Sequence, residues 1–212
     1  MGCSLESVTE MPLSLSNFRN EVFKENDVKM SKEHERGHGY GMEGVAFGLA
    51  DGIVCFLGII IGVAEATLDV RLVVITGIVG GIADALGNSI GFFISQSTER
   101  GAQIHSLEEH GENVRVHSHR EVWMSGVLSF VATIAALVIL IVPFLFLNLS
   151  AALVSTFVIG ILVLFFLGRY VGKMGGENPL KTGLKYAALG VAGAVVSYFV
   201  GDSLKHLTGI LV

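Results

Sequence analysis

Residues 122–168 contain no charged side chain. A chain cannot hold so long an apolar run in a water-facing fold without burying nearly all of it. One bilayer crossing needs roughly 20 such residues, so the run reads as two spans with a short turn near Pro143 to Ser150. The composition agrees: mean hydropathy is +0.65 and only 16% of residues are charged, against about a quarter in soluble domains. Three further segments have span length, which gives five spans over about 44–66, 72–95, 122–145, 150–168 and 184–201. The expected class is an all-α integral membrane protein with five transmembrane helices. The polar residues 1–43 precede this transmembrane domain (44–201), a cytoplasmic loop (96–120) interrupts it, and a short tail (202–212) follows.

Lys and Arg collect on the cytoplasmic side of membrane proteins. With the N-terminus inside, Arg19, Lys24, Lys29, Lys32, Arg36, Arg100, Arg115, Arg120, Arg169, Lys173, Lys181 and Lys185 are cytoplasmic. Only Arg71 and Lys205 then lie outside. The N-terminus is therefore expected in the cytoplasm and the C-terminus outside or in a lumen. A net charge of −5 gives no footprint for nucleic acid. Cys3 and Cys55 fall in different compartments, so no disulfide framework is implied. The first 43 residues contain no apolar signal-peptide core. Part of this segment is expected as a surface helix, with Leu13, Phe18, Val22 and Phe23 on its apolar side.

The first two spans each hold an aspartate among glycines. At about 100° per residue, Gly44, Gly48, Asp51, Gly52, Cys55, Gly58 and Gly62 share one side of span one. Gly77, Gly80, Gly81, Asp84, Gly87, Asn88, Gly91 and Ser95 share one side of span two. A carboxylate in hydrocarbon faces protein, water or a cation, and small residues allow helices to approach closely. The two faces together predict a path for a positive ion. Asp51 lies nearer the cytoplasmic end, Asp84 near mid-depth, and Glu65 near the outer end of span one. These acids bind a metal ion or a proton, the chemistry of a proton-coupled carrier. Asn88 adds an oxygen ligand, and Cys55 adds a softer sulfur suited to iron or zinc.

In loop 96–120, His105, Glu108, Glu109 and Glu112 share one side of a helix by their spacing, a candidate second metal site on the cytoplasmic side. Ser125, Ser129, Thr133, Ser155, Thr156 and Ser197 are expected in packing or interhelical hydrogen bonds. An intramembrane aspartyl hydrolase also carries two membrane aspartates. Its Gly-x-Gly-Asp setting is absent, since Asp51 follows Gly48-Leu49-Ala50 and Asp84 follows Gly81-Ile82-Ala83. No enzyme activity and no cofactor are expected.

These features resemble the vacuolar iron transporter family. The likeness rests on Gly48-Leu49-Ala50-Asp51-Gly52, on the small-residue second span ending in Ser97-Thr98-Glu99, and on the third span opening at Glu121-Val122-Trp123. It also rests on the fifth span opening at Leu184-Lys185-Tyr186, and it covers roughly residues 40–205. The short loop 96–120 resembles the branch that lacks a large cytoplasmic metal-binding domain. The resemblance implies a homodimer in the lipid bilayer that exports Fe²⁺, and often Mn²⁺, from the cytoplasm in exchange for protons, with Asp51 as the first-span acid of the path. Many members carry a path-lining methionine in span two where this chain has Asn88, a harder ligand that keeps manganese beside iron. The membrane is the cell membrane in a prokaryote, and a vacuolar or other endomembrane in a eukaryote. The alternative expectation is a non-transporting membrane metal sensor or scaffold.

Overall fold

The computed structural model describes residues 40–110 and 116–208, with the backbone alone at 40, 41, 108–110 and 208. The surface-helix stretch expected around Leu13 to Phe23 lies outside these residues. Among the described residues the chain forms five helices and no strand: α1 (Tyr40–Thr67), α2 (Val70–His110), α3 (His119–Phe146), α4 (Leu149–Met174) and α5 (Pro179–Thr208). All five are long and apolar enough to cross a membrane.

The helices run past the apolar segments because local chemistry, not hydropathy, sets their ends. Ser118 and Glu121 form a reciprocal capping box at the start of α3, each side chain serving the other's backbone N–H. Asn148 accepts from Ala151 N at 3.0 Å to start α4. Asn178 accepts from Leu180 N at 3.1 Å to start α5, where Pro179 fills the first helical position and needs no donor. Helix α3 continues through Pro143 to Phe146, leaving only Leu147 and Asn148 as the turn. The α1–α2 turn is equally short: Leu68 takes a left-handed φ of 52°, and Asp69 Oδ1 caps α2 by accepting from Arg71 N at 2.8 Å. At 41 residues, α2 is roughly 60 Å long, about twice the hydrocarbon thickness. Its final turns therefore project beyond the membrane and take up most of the region expected as a loop.

Helix α1 is the hub and packs against all four others. Ile53, Phe56, Leu57 and Ile60 have no exposed surface, and they fill the core with Val73, Leu137, Leu140 and Leu164. Many other large apolar side chains face outward, including Ile75, Val79, Ile82, Leu86, Ile90 and Ile94 of α2. In water this would be a severe hydrophobic exposure; in a bilayer it is the solvated surface.

Helix α1 seats on α3 through Gly44, Gly48 and Gly52. A Cβ on Gly44 or Gly48 would collide with the carbonyls of Ser125 and Ser129, and one on Gly52 would sit 3.1 Å from Ala136 Cβ. Thr133 Oγ1 bridges this contact, donating between Gly48 O at 3.0 Å and Ser129 O at 2.9 Å. Thr156 Oγ1 joins α4 to α3 through Leu140 O at 2.9 Å. Hydroxyls in hydrocarbon need such acceptors, and both of these link helices as expected. The stripe of Gly44, Gly48 and Gly52 is thus a helix–helix seam, not the wall of an open path.

Candidate functional site

Contacts between α1 and α2 fix the depth and direction of the site. Gly81 admits Phe56 and Leu137, to within 2.6 Å and 2.9 Å of where a Cβ would be. Gly77 faces Ile141 and Gly80 faces Ile59 in the same way, while Ala85 is fully buried. With α2 pressed down along these residues, Asp84 emerges at the flank of the contact, half-buried. Asn88, one turn on, donates from Nδ2 to Asp84 Oδ2 at 3.2 Å. From α1, Cys55 lies near enough to interact with the same carboxylate. Asp51, one turn before Cys55, lies near enough for its charge to act on both groups.

The structure therefore brings together Asp51, Cys55, Asp84 and Asn88, two carboxylates with one sulfur and one amide between adjacent helices. They do not close into a complete shell. Among the described residues, no three His, Cys, Asp or Glu side chains are gathered as a metal-holding group. Beyond Asp84 the α2 surface is bare in the single chain. Ala83, Gly87, Gly91 and Ser95 repeat at every fourth residue on the exposed side, and nothing lies within 4 Å of where a Cβ would be on Gly87 or Gly91.

The other expected site residues lie elsewhere. Glu65 sits fourteen positions, about 21 Å, beyond Asp51 along α1, and its Oε1 pairs with Lys205 Nζ of α5 at 3.6 Å. His105 lies on the projecting part of α2. Glu112 and the side chains of Glu108 and Glu109 lie outside the described residues. The projecting turns are instead tied to the chain entering α3: Arg100 Nε donates to His117 O at 2.8 Å, and His117 N donates to Gln103 Oε1 at 2.9 Å.

Two contributors carry no local signal in sequence. Ser89 Oγ bonds Gly126 O at 3.0 Å, locking α2 to α3 one residue from Asn88. Lys205, which counted in sequence only as a tail charge, is the partner of Glu65. Serine on a small-residue face and lysine at a helix end are both common, and only tertiary packing gives them a partner.

The sequence profile of the VIT family, the vacuolar iron transporters, matches residues 43–122 and 101–202, which together take in all five helices. The chain belongs to the VIT family. It is thus an integral membrane protein of a metal-ion transporter family, in accord with a non-enzymatic reading, and its substrate is a metal ion. An uncharacterized protein of Methanocaldococcus jannaschii is 28% identical over 169 residues, covering 76% of this chain and 88% of the relative. Within the VIT family frame, Asp51 and Asp84 occupy the first two of the five spans, on the two helices that meet at the Cys55 contact.

Proposed function

We propose that this VIT family member is a homodimeric, proton-coupled carrier that moves Fe²⁺ or Mn²⁺ out of the cytoplasm along the α1–α2 face. The observation that carries the reading is the half-buried Asp84, which meets Asn88 and Cys55 with Asp51 close by. Deprotonated, the two aspartates supply the negative charge that compensates a divalent ion in a low-dielectric site. Protonated, they lose that charge and the ion leaves. Asn88 contributes an oxygen that suits manganese, and Cys55 a sulfur that favours iron.

The incomplete shell and the bare α2 face support the homodimer. The stripe Ala83, Gly87, Gly91 and Ser95 has the spacing of close helix–helix contacts in membranes. A two-fold axis along it sets two copies of Asp84 and Asn88 on either side of one seam. The α1 and α5 N-termini, the α4 C-terminus and the α2–α3 connection share the bundle end that the charge bias assigns to the cytoplasm.

Metal uptake into proteoliposomes under a pH gradient tests the proposal. Wild type is expected to transport Fe²⁺ or Mn²⁺, and Asp51→Ala and Asp84→Ala are expected to reduce flux to the level of empty vesicles. Undiminished flux in both variants contradicts it.

A further inference from the structure

Helices α4 and α5 meet through glycines at the bundle end that the charge bias assigns to the cytoplasm. A Cβ on Gly168 would lie 2.9 Å from Gly183 Cα, and one on Gly172 would lie 3.2 Å from Pro179 Cα. Residues 165–188 around this hairpin hold four cations, Arg169, Lys173, Lys181 and Lys185, and one acid, Glu177. Glu177 is already engaged: its Oε2 accepts from Thr182 Oγ1 at 2.9 Å and lies 3.8 Å from Lys185 Nζ. Among the described residues, no carboxylate pairs with Arg169, Lys173 or Lys181. At the opposite end of the bundle the charges are matched, with Glu65 on Lys205 and Asp202 on His206.

Side chains on a helix lean toward its N-terminus. Helix α5 starts at the hairpin, so Lys181 and Lys185 lean toward water, and Lys185 reaches Glu177. Helix α4 ends there, so Arg169 and Lys173, one turn apart on one side, lean toward the bilayer. The contacts of Arg169 follow that direction. Its Cζ stands 5.8 Å from the centre of the Phe165 ring, one turn deeper in the membrane. Its stem crosses α5 at Gly183, where a Cβ would fall 2.8 Å from Arg169 Cγ. The guanidinium is thus held at the edge of the apolar belt. Tyr170 beside it is exposed, and tyrosine is enriched at that level of a membrane. Leu162 and Phe166, deeper on α4, expose their side chains to the hydrocarbon. This order of cation above hydrocarbon matches a phosphate above acyl chains, and the planar fork of an arginine suits a phosphate bidentately.

We propose that Arg169 and Lys173 bind the phosphate of an anionic phospholipid in the adjoining leaflet, with its acyl chains along Leu162 and Phe166. A zwitterionic lipid brings its own ammonium to its phosphate. The unmatched positive charge of the hairpin therefore selects a lipid of net negative charge. Neither the carried ion nor the dimer takes part in this site.

Delipidated full-length chain in mixed detergent micelles, offered phosphatidylglycerol or phosphatidylcholine at equal mole fraction, tests the site, with bound lipid counted by native mass spectrometry. Wild type is expected to retain one phosphatidylglycerol in preference to phosphatidylcholine by roughly fivefold or more, the contribution of one or two cations at an anionic surface. Arg169→Gln combined with Lys173→Gln is expected to abolish the preference. Lys181→Gln combined with Lys185→Gln removes the same charge from α5 and is expected to keep it. The single variants Arg169→Gln and Lys173→Gln, each expected to lower the preference, keep the comparison independent of how a double variant folds. Equal preference in wild type and the Arg169 and Lys173 double variant, or equal loss in both double variants, overturns the proposal. Displacement of phosphatidylglycerol by millimolar inorganic phosphate assigns the patch to a soluble anion and overturns it as well.

Discussion

Substituting Gly48 with alanine tests the central seam of the fold. The added Cβ would sit 2.9 Å from the carbonyl carbon and 3.0 Å from the Cα of Ser129, closer still to its oxygen. Carbon atoms pack best at about 3.5–4.0 Å, and here both sides are backbone, so no rotamer change relieves the contact. Helices α1 and α3 therefore separate, at an overpacking cost of about 1–3 kcal/mol. The same movement stretches the bond from Thr133 Oγ1 to Gly48 O, worth about 0.6 kcal/mol for a hydrogen bond in a membrane protein. The total is about 2–4 kcal/mol, a large part of a typical stability of about 5–15 kcal/mol. In a detergent thermal-unfolding assay this corresponds to a loss of roughly 4–16 °C. Gly101→Ala is the control, because nothing lies within 4 Å of its would-be Cβ. Helix propensity there favours alanine by up to about 1 kcal/mol. Equal melting temperatures for Gly48→Ala and wild type refute the tight seam.

Other variants probe the site and its surroundings. Cys55→Ser replaces a soft sulfur with a hard hydroxyl and, on the proposed path, is expected to lower the Fe²⁺-to-Mn²⁺ transport ratio by about tenfold, about 1.4 kcal/mol of selectivity; competitive uptake checks this, and an unchanged ratio removes Cys55 from the path. Gly87→Ile and Gly91→Ile place bulk on the bare α2 face and are expected to shift a dimer toward monomer in multi-angle light scattering, with helical content retained. A dimer unaffected by both places the interface elsewhere. Arg100→Ala with Gln103→Ala removes the tie to the chain entering α3 and is expected to raise amide exchange at residues 116–118 while leaving the membrane core protected.

The five spans were legible because hydropathy over about 20 residues is itself the physical requirement for crossing a bilayer. Asp51 and Asp84 stood out for a related reason, since a charge at that depth is costly enough to demand a role. The interhelical bonds of Thr133 and Thr156 followed from the same need to satisfy a hydroxyl in hydrocarbon. Periodicity gives a face but not its neighbour. Gly44, Gly48 and Gly52 share the side of α1 that bears Asp51, yet they seat on α3, while Cys55 meets Asp84 of α2. The extension of α2 to His110 lies in polar sequence, where the spacing of His105, Glu108 and Glu109 reads as one side of a helix but no apolar stripe fixes how far it runs. The Glu65–Lys205 pair joins residues far apart in the chain, and only the close α1–α5 contact at Gly62 and Gly201 brings them together.

Coupled flux through Asp84 is the central claim. It is tested most directly by recording Mn²⁺ entry and internal pH in the same proteoliposomes, with fluorescent reporters for each. Wild type is expected to show metal entry with proton movement in the opposite direction, and Asp84→Asn to lose both together while eluting as a folded protein. Metal entry without proton movement, or full flux in Asp84→Asn, contradicts the account.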